Sequence, residues 1–177
     1  LAHRGVLNST NPASPVNRRN LPTSCGTCHA GPFAAFQMSR HFALLNQGDA
    51  RVPVCSVCHG AAGSWRPSGN SLAASCRQCH GQNGIAPRTA RAEAARELYE
   101  TLHQTRETLK SAKSSINRVS DKARAAQLEL ALQQAEIPLT EAIQAGHQFV
   151  YDTMKDRLAR VRQRIGALQR QLGNSKP

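Results

Sequence analysis

Every cysteine in this chain belongs to one pattern used three times. Cys25-Gly26-Thr27-Cys28-His29, Cys55-Ser56-Val57-Cys58-His59 and Cys76-Arg77-Gln78-Cys79-His80 account for all six. Two cysteines with two residues between them present a pair of sulfurs at the spacing of the two vinyl groups of one haem, and the histidine that follows is carried to the iron. The pattern predicts three haems c. Cys25, Cys28, Cys55, Cys58, Cys76 and Cys79 would form the thioethers, with His29, His59 and His80 as proximal iron ligands.

Two other uses of the cysteines fit less well. Zinc takes four ligands around one ion, normally as two separated knuckles, whereas each cluster here offers three groups with the histidine abutting the second cysteine. Disulfides suit a six-cysteine exported chain but give no reason for a histidine after every second cysteine. Only 25 residues separate His29 from Cys55, and 16 separate His59 from Cys76. So little polypeptide can stand between three macrocycles that close contact is expected, and rapid electron exchange with it.

Four further histidines, His3, His41, His103 and His147, are candidates for the opposite face of each iron. Two imidazoles saturate an iron, which blocks small molecules and favours outer-sphere electron transfer. His41 lies inside the haem-organised segment, and His147 interrupts an apolar helical seam. His103 stands one position off a helical stripe, and His3 is in a polar arm. A lone histidine is more often a surface or core residue than a ligand, so each is weighed against that plainer role. A thioether from Met38 or Met154 is the less favoured alternative.

The formal charge of +12 would ordinarily point to nucleic acid, an anionic surface or an acidic partner. Three haems would bring about six propionates, which offset roughly half of it. Aromatic residues make up only 4% of the chain and do not interleave with the arginines, so nucleic acid is not expected as a partner. No apolar run approaches the length of a transmembrane span. A chain opening on Leu1, with no signal-like apolar core in its first twenty residues, is expected to be the trimmed product of a longer one.

Composition divides the sequence into a trihaem head with an extended N-terminal arm, residues 1–86, and a helical segment, residues 87–177. In the second part, Ala95, Leu98, Leu102, Leu109, Ala112, Ile116 and Val119 form one apolar stripe. Ser120 or Asp121 is the expected cap of a second helix. Leu128, Leu132, Ala135, Leu139, Ile143, His147, Val150, Met154, Leu158, Val161, Ile165, Leu168 and Leu172 keep that rhythm until Gly173. The fold class predicted is mainly α: an irregular haem-packed head followed by a long antiparallel helical hairpin kinked at Pro138. Antiparallel register places His147 opposite Ala92, near the third haem site. At 1.5 Å per residue the second helix would be about 78 Å long against about 48 Å for the first, so its basic end would overhang. That end, with Lys155, Arg157, Arg160, Arg162, Arg164 and Arg170, would dock on the head, pair with another subunit, or simply cover its own hairpin as a solvated face.

With these residues in view, the chain resembles the multihaem c-type cytochromes related to hydroxylamine oxidoreductase and ammonia-forming nitrite reductase. Ser39-Arg40-His41-Phe42-Ala43 looks like the Ser-x-His-Ala element that supplies distal histidines there, and Ala145-Gly146-His147-Gln148-Phe149 resembles a helical histidine segment of the same group. The resemblance implies export to the periplasm or cell exterior and redox proteins as partners. The catalytic members carry more haems and one specially ligated site, which this chain lacks, so an electron carrier is expected rather than an enzyme. Two alternatives remain. In one, a homo-oligomer or filament assembles through the C-terminal helix and N-terminal arm, with His3 or His103 ligating a neighbour's haem. In the other, one open haem acts on a nitrogen or sulfur compound.

Overall fold

A computed structural model describes residues 7–60 and 67–173. The described secondary structure is helical, as expected: α1 (Leu21–Gly26), α2 (Ala30–Gln37), α3 (Arg40–Asn46), α4 (Cys55–His59), α5 (Gly69–His80), α6 (Thr89–Ile116), α7 (Lys122–His147) and α8 (Tyr151–Gly173). They fall into two compact units. The first is Leu1–Ala92 together with His147–Phe149, and the second is Glu93–Gly146 with Val150–Pro177.

In the first unit, short helices start where local chemistry can satisfy their free amides. Pro22 occupies the first turn of α1, where a missing N–H costs nothing. The Ser39 hydroxyl accepts from the Phe42 amide at 3.1 Å and opens α3. Ser68 and Ser71 form a reciprocal capping box at the start of α5. These helices pack on a small core of Phe36, Leu45, Val52 and Val54, with Leu21, Phe42, Leu44, Val57 and Phe149 against it. The Phe36 and Phe42 rings meet edge to face at 5.5 Å, and Phe33 meets Phe42 at 6.1 Å.

The arm before α1 departs from the extended form expected of it. Among its described residues it is a string of turns tied by asparagine. Asn8, Asn11 and Asn17 each accept, through Oδ1, a backbone N–H two residues on, at 3.0, 2.9 and 3.1 Å. Asn20 donates to the carbonyls of Pro12 and Ser14.

The second unit is three helices. Leu109, Ala112 and Ile116 of α6, Leu128, Leu132 and Ala135 of α7, and Val161, Ile165 and Leu168 of α8 share one core. Leu102, Ala142, Ala145, Met154 and Leu158 form a second cluster. Asp121 caps α7, its carboxylate accepting from the amides of Ala123 at 2.9 Å and Arg124 at 3.1 Å. Pro138 is buried inside α7, which continues through it.

The long second helix of the expected hairpin is two helices. Phe149 takes a left-handed φ of 61°, and the Val150 amide donates to the Ala145 carbonyl at 3.0 Å. That six-to-one bond around a left-handed residue is the Schellman way of ending a helix, normally left to glycine. The chain then reverses, so α8 lies antiparallel to α7 rather than overhanging. Arg157 pairs with Glu141 at 3.1 Å, Arg124 donates to the Gln171 carbonyl at 3.0 Å and Arg164 donates to the Gln134 carbonyl. Part of the basic run thus holds α8 to α7.

Candidate functional site

All three Cys-x-x-Cys-His motifs lie in the first unit, each at or within a short helix. The first runs through the end of α1, the second is α4, and the third closes α5. Compactness is built into the residues between. A Cβ on Gly26 would stand 2.4 Å from the Phe33 ring, so only glycine lets that ring pack over the first motif.

The motifs interlock in chain order. Cys25 stands close enough to Cys55, and Cys76 to Cys58, for each to perturb the other motif's thiol electrostatically. Burial, then the neighbouring thiol, pushes Cys55 up to about 11, and burial followed by Cys76 pushes Cys58 up to about 11. Among the described residues no three His, Cys, Asp or Glu side chains converge on a single ion.

The histidines are arranged differently. His59 and His147 stand with ring centres 6.3 Å apart and planes within 6° of parallel, and His41 and His80 stand 6.1 Å apart at 62°. A metal lies about 2 Å from a ligating imidazole nitrogen, and the centre of a five-membered ring with ~1.33 Å bonds is about 1.1 Å further on, so two imidazoles sharing one metal in trans have centres roughly 6 Å apart. Both pairs meet that spacing. The donor set and its ring-centre spacing therefore fit an iron between two imidazoles, with the cysteines of the second and third motifs next to His59 and His80 in the chain.

The third motif carries a second sign of the same fit. His80 Nδ1 is 2.7 Å from the Ala86 carbonyl. A carbonyl can only accept, so Nδ1 is the donor and Nε2 is left with its lone pair free for a metal. The turn that brings Ala86 there closes through the Gly84 and Ala86 amides on the Gly81 and Cys79 carbonyls, both at 3.0 Å. Gly84 has no room for a side chain, since a Cβ would meet the Cys79 oxygen at 2.2 Å.

Burial and neighbouring imidazoles favour the neutral form of two of these rings. His41 is lowered first by burial and then by His80. His59, part of which stays open to solvent, is lowered by loss of surrounding water, then by His147 and His29. A neutral imidazole is the form that binds iron.

Sequence reasoning expected His147 near the third motif, and the structure brings it to the second. His41, placed by sequence ahead of the second motif, lies beside the histidine of the third. His103 is an exposed residue of α6 in the second unit, and His3 lies outside the described residues. Met154 is buried in the second unit's core, and Met38 is 76% exposed with its sulfur 3.6 Å from Gln148 Nε2. Sequence reasoning passed over Phe149, whose ring centre is 4.3 Å from that of His41 and 6.5 Å from that of Phe36. Its only signal was an aromatic residue two positions after a candidate ligand.

Residues 11–83 match the family model described as cytochrome c7 and related cytochrome c. The match spans all three motifs, and it supports a multihaem c-type cytochrome that transfers electrons. No curated protein and no solved structure matches the chain. Among the described residues no helix is long and apolar enough to cross a membrane.

Proposed function

We propose that the chain is a trihaem electron carrier in which two of the three irons take their second imidazole from a distant part of the sequence. The haem supplies a reversible one-electron change at iron, and the protein does the rest. Cys25 with Cys28, Cys55 with Cys58, and Cys76 with Cys79 would tether the three groups, and His29, His59 and His80 would ligate them. His147 would complete the second site and His41 the third. The observation that carries this reading is the near-parallel His59 and His147 pair at 6.3 Å.

Two imidazoles on an iron would leave no place for a substrate there, so the residues of these sites would bind, orient and insulate the haem rather than act on a substrate. The interlocked motifs favour transfer from site to site in chain order. Within the multihaem cytochromes, the Ser39-to-Ala43 and Ala145-to-Phe149 segments favour kinship with the hydroxylamine oxidoreductase group, and covalent haem attachment favours a location outside the cytoplasmic membrane. Redox proteins are the partners this function requires.

Low-temperature electron paramagnetic resonance across a concentration series tests it, once mass spectrometry has counted the haems. Three haems, all low-spin at every dilution, are expected. A high-spin fraction at all dilutions would favour an open catalytic iron instead, and one appearing only on dilution would favour ligation between copies of the chain.

A further inference from the structure

The second and third sites share a structural element that neither motif contains. His147, Gln148 and Phe149 are consecutive, and each meets a different part of the first unit. The His147 ring lies by His59, Gln148 Nε2 reaches the Met38 sulfur, and the Phe149 ring sits on His41. Phe149 does this from a backbone conformation that an aromatic residue rarely takes, with φ at 61°. A bulky side chain there carries backbone strain that glycine or asparagine would avoid. Ending α7 therefore gives no reason for phenylalanine at this place.

The ring's surroundings do. Its centre is 4.3 Å from that of His41 at 70°, and 6.5 Å from that of Phe36 at 62°. These are edge-to-face contacts, whose energy depends on angle as well as distance. His41 thus has one close aromatic neighbour, Phe149, while His80 stands further off at 6.1 Å. An imidazole packed in this way should rotate or swing off a metal less readily while the phenyl ring is in place.

We infer that Phe149 is a positioning residue for the third haem site, fixing the plane of the His41 imidazole and slowing its release from iron. This rests on His41 being the second ligand of that site. The Phe149 ring belongs to the third site although its neighbour two residues back belongs to the second. Its removal should therefore be felt at the third iron.

The test uses the three-haem protein and potassium cyanide, which binds ferric haem only where an imidazole has let go. Phe149→Gly keeps the left-handed turn and removes the ring, and Phe149→Tyr keeps the ring. An edge-to-face contact is worth about 0.5–1.5 kcal/mol, so Phe149→Gly should raise the rate of cyanide capture by about twofold to tenfold at one haem. The low-spin resonance signal of that haem should shift, and it should be the one that His41→Met replaces. Phe149→Tyr should behave as the parent chain. If Phe149→Gly fails to accumulate with three haems, Phe149→Leu, which keeps the bulk without the ring, decides by the same readout. An unchanged rate, or an equal rise at all three haems, overturns the positioning role while leaving the ligand assignment intact. If His41→Met alters none of the three signals, the assignment fails and the positioning role with it.

Discussion

The imidazole planes of His59 and His147 lie within 6° of parallel, although one residue closes a five-residue helix and the other ends the long helix α7. Aromatic rings 6.3 Å apart interact in either offset-stacked or edge-to-face arrangements, so that spacing alone does not require parallel planes. The alignment fits the proposal that the two rings are halves of one coordination sphere. His147→Ala should therefore convert one low-spin signal of the holoprotein to high-spin and leave the other two in place. Resonance spectra of the purified variant, compared with those of His41→Ala, should show different signals lost in the two cases.

Gly84 predicts a subtler effect. Any side chain there would meet the Cys79 carbonyl oxygen at 2.2 Å, so the turn must shift and carry Ala86 away from His80 Nδ1. Losing that acceptor makes the imidazole a weaker donor to its metal. In Gly84→Ala the third site should become easier to reduce, seen as an upward shift of one of three midpoints in spectroelectrochemical titration. Gly31, with nothing near its missing Cβ, is the control.

The helical unit should answer to ordinary core energetics. Leu128 and Leu158 are 0% and 1% exposed. Truncating either to alanine should cost about 2–5 kcal/mol through lost burial and an unfilled cavity. Urea titration followed by far-ultraviolet circular dichroism would show the fall. Leu130→Ala, at a position 57% exposed, should change stability by less than about 0.5 kcal/mol.

Asp49 gives a pH dependence with a definite sign. Hydrogen bonds from the Arg51 side chain and then its backbone lower the carboxyl to about 2. The depressed value means that the folded chain binds this proton less readily than the unfolded one. Its contribution is complete above the ordinary carboxylate range and is lost as pH falls through about 2. Nuclear magnetic resonance titration of the Asp49 side chain should find that low midpoint, and Arg51→Gln should move it upward.

Much of this was legible in the sequence because the signals were local. Contiguous cysteines and histidines mark the motifs, the three-four spacing marks α6 to α8, and Asp121 marks the start of α7. The break at Phe149 was not legible, since the apolar rhythm passes through Gln148 and Val150 without a glycine, proline or asparagine at the turn itself. What stabilises that turn is tertiary: the aromatic surroundings of Phe36 and His41. Which imidazole meets which was likewise hidden, because spacing measures distance along the chain, and both pairs join segments far apart in it. The asparagine-tied arm was misread for the opposite reason. Its turns are local but aperiodic, and Asn8, Asn11, Asn17 and Asn20 mark them with no regular spacing.

The first unit closes only with His147–Phe149, which follow it by more than fifty residues. A haem-binding segment built this way is not a portable cassette. Cut after the last motif and grafted to another carrier, it would keep every attachment cysteine yet leave behind the imidazole beside His59 and the ring against His41. On the proposed assignment, attachment and electronic tuning would be encoded in separate stretches of the gene product, and recombination could transfer the first without the second.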